Sequence, residues 1–247
     1  MNQLYPPESQ RLDFIGHLEE IRRRILFILA FFVIVCGLLF SQGYAMIAFL
    51  EEPAREFSKI FIFIDPTEAF AVYVKVVLLA AFMASFPVMV SQLWAFLSPV
   101  LSLSSRKAIL AWIFFSLVCF YGGITFAYTI LLPAAIHFLI GFGEGIASPA
   151  ITISRYISFV SMMLLAGGCI FQIPVIMGIL TEAGVVDVRK FSGSRKHAIL
   201  ILVIVAAMIS PTTDIVNLLL FAGPMIALYE AGILLSWMVG QRKKGEG

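Results

Sequence analysis

The chain has 247 residues, of which 61% are hydrophobic and 13% charged, against roughly 45–50% apolar and about 25% charged in soluble domains. A soluble fold is excluded, because the long uncharged runs leave too little polar surface to cover a core and call for lipid as solvent. A formal net charge of +2 without a continuous basic stripe argues against nucleic acid as a partner.

In chain order, residues 1–24 read as a cytoplasmic amphipathic segment. Phe14, Leu18, Ile21 and Ile25 recur at helical spacing on one stripe, with Glu19, Glu20 and Arg22 to Arg24 mostly off it. Such a helix is expected to lie along the interface before turning into the bilayer. The three arginines can set topology alone, whereas carboxylates contribute little to that bias. Glu19 and Glu20 are therefore either salt-bridge partners on the helix or a cation-binding pair.

Six apolar runs follow, at 25–44, 69–97, 108–132, 157–180, 198–209 and 215–239, separated by segments rich in Pro, Ser, Gly and charge. The first starts too late, and without a small-residue cleavage pattern, to read as a signal peptide. The fifth is too short to cross about 30 Å of hydrocarbon unaided, so a tight hairpin at Ser210 to Asp214 and a locally thinned bilayer are expected. Of the 17 Lys and Arg residues, thirteen fall before the first run or after the second, fourth and sixth. Arg55, Lys59, Lys75 and Arg155 fall toward the other side. This bias predicts an all-α, six-span protein in one domain with both termini cytoplasmic.

Cys36, Cys119 and Cys169 lie inside spans without pairing context and read as packing residues. No HExxH, GxSxG or phosphate-loop motif occurs, and Ser192-Gly193-Ser194 reads as a flexible turn, so neither catalysis, a metal nor a cofactor is expected. Polar groups inside spans are functional candidates by default. Lys75 sits where it can snorkel to the outer interface, and His137, after Pro133, belongs near the same interface. Gln172, beside Pro174, is suited to interhelical hydrogen bonding, with the carbonyl freed by the proline as one partner. Asp214 is placed to cap the sixth span. Glu230, near that span's cytoplasmic end, can pair with a basic residue or snorkel. A small-solute, cation-coupled transporter using Asp214, Glu230 and Lys75 is the alternative function from these groups, although they scatter toward span ends and do not cluster at the midplane.

Several stretches together resemble the TatC family, the core receptor subunit of the twin-arginine protein translocase. They are His17-Leu18-Glu19-Glu20-Ile21-Arg22, Asp65-Pro66-Thr67-Glu68-Ala69-Phe70, Phe86-Pro87 through Gln92-Leu93-Trp94-Ala95-Phe96 to Pro99, Phe120-Tyr121-Gly122 with Phe126-Ala127-Tyr128, and Tyr156-Ile157-Ser158-Phe159. Phe171-Gln172-Ile173-Pro174, Ser210-Pro211 with Asp214, and Pro224 with Tyr229-Glu230 follow in the family's order. The resemblance covers about residues 14–240.

It implies a receptor that binds the arginine pair of signal peptides and passes folded proteins across the cytoplasmic membrane, driven by the protonmotive force. Glu20, with Glu19, Arg22, Phe96 and Ser105, is implied at the signal-peptide site. A carboxylate suits that task because it accepts a bidentate guanidinium bond that an ammonium cannot reproduce. Gln172, Asp214 and Glu230 are implied as intramembrane polar positions. Pro53, Pro87, Trp94 and Pro174 are implied as structural, the helix-breaking prolines shaping a concave groove and Trp94 and Phe96 bracing the first cytoplasmic loop. TatA- and TatB-type single-span subunits, signal peptides, lipid and further TatC copies are the implied partners. The chain departs from the family at Ser105, where a loop glutamate is expected, and at Gln172, which is often glutamate. A divergent paralogue with altered signal preference is the corresponding variant of the same function.

Overall fold

In lipid every backbone N–H and C=O must find a partner inside the protein, and helices satisfy most of them within each segment. A computed structural model describes residues 8–54, 61–100, 106–143, 151–209 and 215–245. The described residues are helical almost throughout. The helices are α1 (Glu8–Leu39), α2 (Gly43–Glu51), α3 (Glu68–Val100), α4 (Arg106–Phe126), α5 (Leu132–Gly143), α6 (Ile153–Ile170), α7 (Ile173–Glu182), α8 (Val188–Gly193), α9 (Arg195–Ile209) and α10 (Ile215–Gly245). Short 3₁₀ turns flank α2 at Phe40–Gln42 and Glu52–Ala54, and a π-helical turn at Ala127–Leu131 joins α4 to α5.

Among the described residues, five stretches are long and apolar enough to cross a membrane: Glu19–Ala54, Glu68–Phe96, Lys107–Gly141, Ile153–Glu182 and Leu218–Gln241. With the 15-residue α9 as the short fifth span, they make the six expected. α3 is central and packs against α1, α2, α4 and α6, while α7 and α9 both pack on α10. At the crossing of α4 and α6, Gly123 and Gly167 lie backbone to backbone, with no room for a Cβ on either. Small residues let membrane helices approach this closely.

Three boundaries differ from the sequence expectation. The amphipathic segment does not turn before the bilayer, since α1 runs unbroken from Glu8 to Leu39; from His17 to Cys36 no Gly or Pro interrupts it. The third span continues past 132, through Pro133 and His137, to Gly143. The wider π turn precedes Pro133 and accommodates its missing N–H, as such bulges do within helices. Finally, Pro87 does not break its helix, because α3 spans Glu68–Val100 without interruption.

The helix ends and prolines explain where several tyrosines go. A proline lacks an N–H, so the carbonyl four residues earlier loses its helical donor. For Pro87 that carbonyl belongs to Met83, and Tyr121 Oη donates to it at 3.0 Å. For Pro53 it belongs to Phe49, which accepts from Tyr128 Oη at 2.7 Å. The carbonyl of Leu50, at the end of α2, accepts from Tyr156 at 2.7 Å, and Tyr73 donates to Phe40.

At the same end of the bundle, the loops before α3 and α6 are tied together. Ile62 and Thr152 form a parallel β-bridge, with Ile62 N–H donating to Ile151 at 3.2 Å and Ile153 N–H to Ile62 at 3.0 Å. Glu68 accepts from the backbone N–H of Ile64 at 2.9 Å and of Ser154 at 3.1 Å. Asp65 opens the turn into α3, accepting from Thr67 N–H at 2.9 Å and its hydroxyl at 2.8 Å. These bonds, the backbone one foremost, hold the Asp65 carboxyl below the usual carboxylate range.

Candidate functional site

The opposite end of the bundle carries the arginines of α1. Because α1 is helical, Glu20 and Arg24 stand one turn apart on one face. Arg24 Nε and Nη2 both donate to Glu20 Oε1, at 3.0 and 2.6 Å. Its remaining donors reach α3: Nη1 donates to Gln92 Oε1 at 3.1 Å, and Nη2 lies 3.4 Å from the Ala95 carbonyl. The Arg24 and Glu20 side chains are 24% and 40% exposed, so the pair is open to solvent on one side and desolvated on the other. Glu19 pairs loosely with Arg22 at 3.9 Å, both being mostly exposed.

Around this pair a cleft of about 620 Å³ is lined by Glu19, Glu20, Arg23, Arg24, Phe27 and Gln92. Two carboxylates and two guanidiniums beside an apolar ring and a primary amide can exchange ionic partners without burying an unpaired charge. Among the described residues, the hydrogen bonds to Glu20 all fall on Oε1 and none on Oε2.

The Glu19 and Glu20 alternatives both persist, because Glu20 is a salt-bridge partner and also a wall of a charged cleft. Arg22 does not line the cleft and is linked to it only through Glu19. Phe96 stands one turn beyond Gln92 on α3 and is half-buried. Ser105 and Asp214 lie outside the described residues. Arg24, Phe27 and Gln92 were not singled out for this site, yet the Glu20 to Arg24 spacing of four is a readable signal for the ion pair. Nothing local in the sequence announces that Gln92, on another helix, completes it.

Behind the cleft, Trp94 is buried and stacked on Trp112, with ring centroids 6.5 Å apart. The indole N–H of Trp112 donates to Glu182 at the end of α7. This bracing of the α3 end through α4 to α7 involves a carboxylate, Glu182, that sequence reasoning passed over.

Gln172 forms the interhelical bond expected, with a different partner. Its amide donates to the Ser116 carbonyl at 3.0 Å and accepts from the Ser116 hydroxyl at 2.7 Å. The carbonyl it engages is therefore on α4, not the one freed by Pro174. Pro174 itself is buried near the start of α7, just after the break at Phe171 and Gln172 that separates α6 from α7.

Glu230 accepts from Arg195 at 2.9 Å, which resolves its alternatives in favour of pairing. Lys75 donates to Ser158 at 2.6 Å, near the end where Ile62 meets Thr152. Glu230 and Lys75 thus sit at opposite ends of the bundle and do not meet. Among the described residues no three His, Cys, Asp or Glu side chains converge as a metal would require.

These features define a multi-pass membrane protein with a charged cleft at one end of its helices. The family model described as "Sec-independent protein translocase protein (TatC)" matches residues 16–224. The TatC protein of Koribacter versatilis is 32% identical over 244 residues, covering 95% of this chain and 90% of that protein. The TatC protein of Carboxydothermus hydrogenoformans is also 32% identical, covering 96% and 100%. A crystal structure titled twin arginine translocase receptor TatC superposes with a TM-score of 0.81 at 31% identity, covering 90% of this chain and 99% of that one. The chain belongs to the TatC family of Sec-independent protein translocases.

Proposed function

We propose that this TatC protein is the membrane receptor for twin-arginine signal peptides and the core of the translocase that exports folded proteins using the protonmotive force. The carrying observation is that Glu20 already holds a guanidinium, that of Arg24, at the mouth of an accessible cleft. A site that fits one arginine in this way has the acceptor geometry and charge to bind another. Glu19 lines the same cleft, Arg22 pairs with Glu19 and Phe96 follows Gln92 by one turn, while in the sequence Ser105 replaces the second acid that the family resemblance leads one to expect. Its role is non-enzymatic, consisting of binding and passage.

The arginine-rich end of the bundle faces the cytoplasm in this reading, with both termini inside and the protein in the cytoplasmic membrane. The positive-inside bias supports it. TatA- and TatB-type single-span subunits and further TatC copies are the partners. The internal bond of Gln172 to Ser116 removes the need for a partner to cover that amide, leaving the exposed apolar surface of α1 and the short α9 as the faces suited to single-span helices. Gln172, Asp214 and Glu230 are the polar positions assigned to the passage of cargo.

The test is binding of a fluorescent signal peptide to the purified chain in nanodiscs. Arg-Arg peptide is expected to bind more tightly than Lys-Lys peptide, and Glu20→Ala to lose about tenfold or more in Arg-Arg affinity, the value of one charged hydrogen bond. Equal binding of both peptides, unaffected by Glu20→Ala, would overturn the assignment.

A further inference from the structure

We propose that Arg24 is a resident competitor for Glu20, so that a signal arginine enters by exchange and Gln92 holds the displaced Arg24. The proposal rests on Glu20 being the receptor carboxylate and adds what sets its threshold.

Three observations carry it. Arg24 uses the side-on edge of its guanidinium on Glu20, with both bonds converging on Oε1. An incoming guanidinium that engages both oxygens needs that same Oε1. Arg24 is on the same helix one turn away, so its local concentration at Glu20 is high whatever the peptide concentration. It also has acceptors independent of Glu20, the Gln92 amide oxygen and the Ala95 carbonyl on α3. When Glu20 is taken, Arg24 keeps those bonds and is not left as an unpaired, partly desolvated cation.

The exchange runs in an order that the free oxygen suggests. The signal guanidinium first meets Oε2, then takes Oε1 as Arg24 withdraws toward Gln92 and Ala95. The carboxylate stays paired throughout, and no proton or covalent bond moves. The consequence is a raised threshold. Every cationic segment must first displace Arg24, which lowers all affinities by one factor and leaves weakly held lysine-bearing segments unbound at concentrations where paired arginines still bind. Gln92 is a positioning residue that acts through Arg24 and need not touch the peptide.

A mutant cycle in nanodiscs tests this, with Arg-Arg and Lys-Lys peptides as probes. Arg24→Gln is expected to tighten Arg-Arg binding by about two- to fivefold, the scale of a partly exposed ion pair, and to bring Lys-Lys binding into range. In the Glu20→Ala background the same change is expected to give no tightening, which separates competition for Glu20 from simple removal of a positive charge. Gln92→Leu is expected to weaken Arg-Arg binding in the otherwise native protein and to have no effect beside Arg24→Gln.

Arg24→Lys, which keeps the charge without the side-on fork, is expected to fall between native and Arg24→Gln and carries the test if the glutamine variant does not fold. Weaker binding in Arg24→Gln, or equal tightening with and without Glu20, would overturn the proposal. If Glu20→Ala alone left Arg-Arg binding unchanged, the receptor assignment would fail instead, so the two failures are distinguishable.

Discussion

Tyr121 shows how much one hydroxyl can decide at a proline. The missing N–H of Pro87 would leave the Met83 carbonyl without its helical donor, and in lipid no water replaces it. Tyr121 fills that role from α4, which is how α3 remains one helix through Pro87. Tyr121→Phe is therefore expected to cost about 0.5–1 kcal/mol, the scale of an interhelical hydrogen bond in membranes. The same change should cost almost nothing beside Pro87→Ala, where the alanine N–H takes the Met83 carbonyl back. Equilibrium unfolding in mixed micelles measures the cycle, and an equal loss in both backgrounds would assign the effect to ring packing. The proline position is legible in the sequence, as is the carbonyl it frees. Which tyrosine answers it is not, because Tyr121 arrives from a helix whose rotation is fixed by the Gly123 to Gly167 contact.

At the scale of elements, Asp65-Pro66-Thr67-Glu68 combines two tasks. It starts α3, with Asp65 engaging Thr67 in a local turn, and it joins two loops, with Glu68 reaching both Ile64 and Ser154. A carboxylate near a helix start is favoured by the free N–H groups there, so the first task can be read from the sequence. The second depends on α6 beginning beside α3, a long-range fact with no local signature. Glu68→Ala removes two charge-assisted bonds, one exposed and one half-buried, and is expected to destabilise by about 1–3 kcal/mol. The diagnostic readout is amide hydrogen exchange. The N–H groups of Ile62 and Ile153, which form the β-bridge, and of Ser154 should exchange faster in Glu68→Ala, whereas those around Trp94 and Trp112 should not change. Acceleration at both ends would mean that Glu68 supports the whole bundle and does not act as a local tie.

The whole molecule joins a hydrogen-bonded end at Ile62 and Thr152 to a charged end at Glu20 and Arg24 through helices of unequal length. Composition and charge bias were enough to read six spans, since apolar length and loop arginines are local properties. The cleft was legible only in its α1 half, because Gln92 and the Trp94 to Trp112 stack come from packing. The short fifth span was legible as well, and it has a physical consequence. At 1.5 Å per residue the 15 residues of α9 cover about 22 Å, against roughly 30 Å of hydrocarbon. Its Leu200, Ile201, Ile204 and Met208 side chains are exposed, so on the chain by itself its outer face is open to lipid. Mismatch costs fractions of a kcal/mol per Å, which over this shortfall amounts to roughly a few kcal/mol that the bilayer or the helix must absorb. Amides of residues 195–209 should therefore exchange more slowly in fluid dimyristoyl than in dioleoyl phosphatidylcholine bilayers. Those of the long span Lys107–Gly141 should show no such gain in the thinner bilayer. If α9 exchanged alike in both, its contact with α10 would be holding it against the mismatch, and the bilayer would not be thinned beside it.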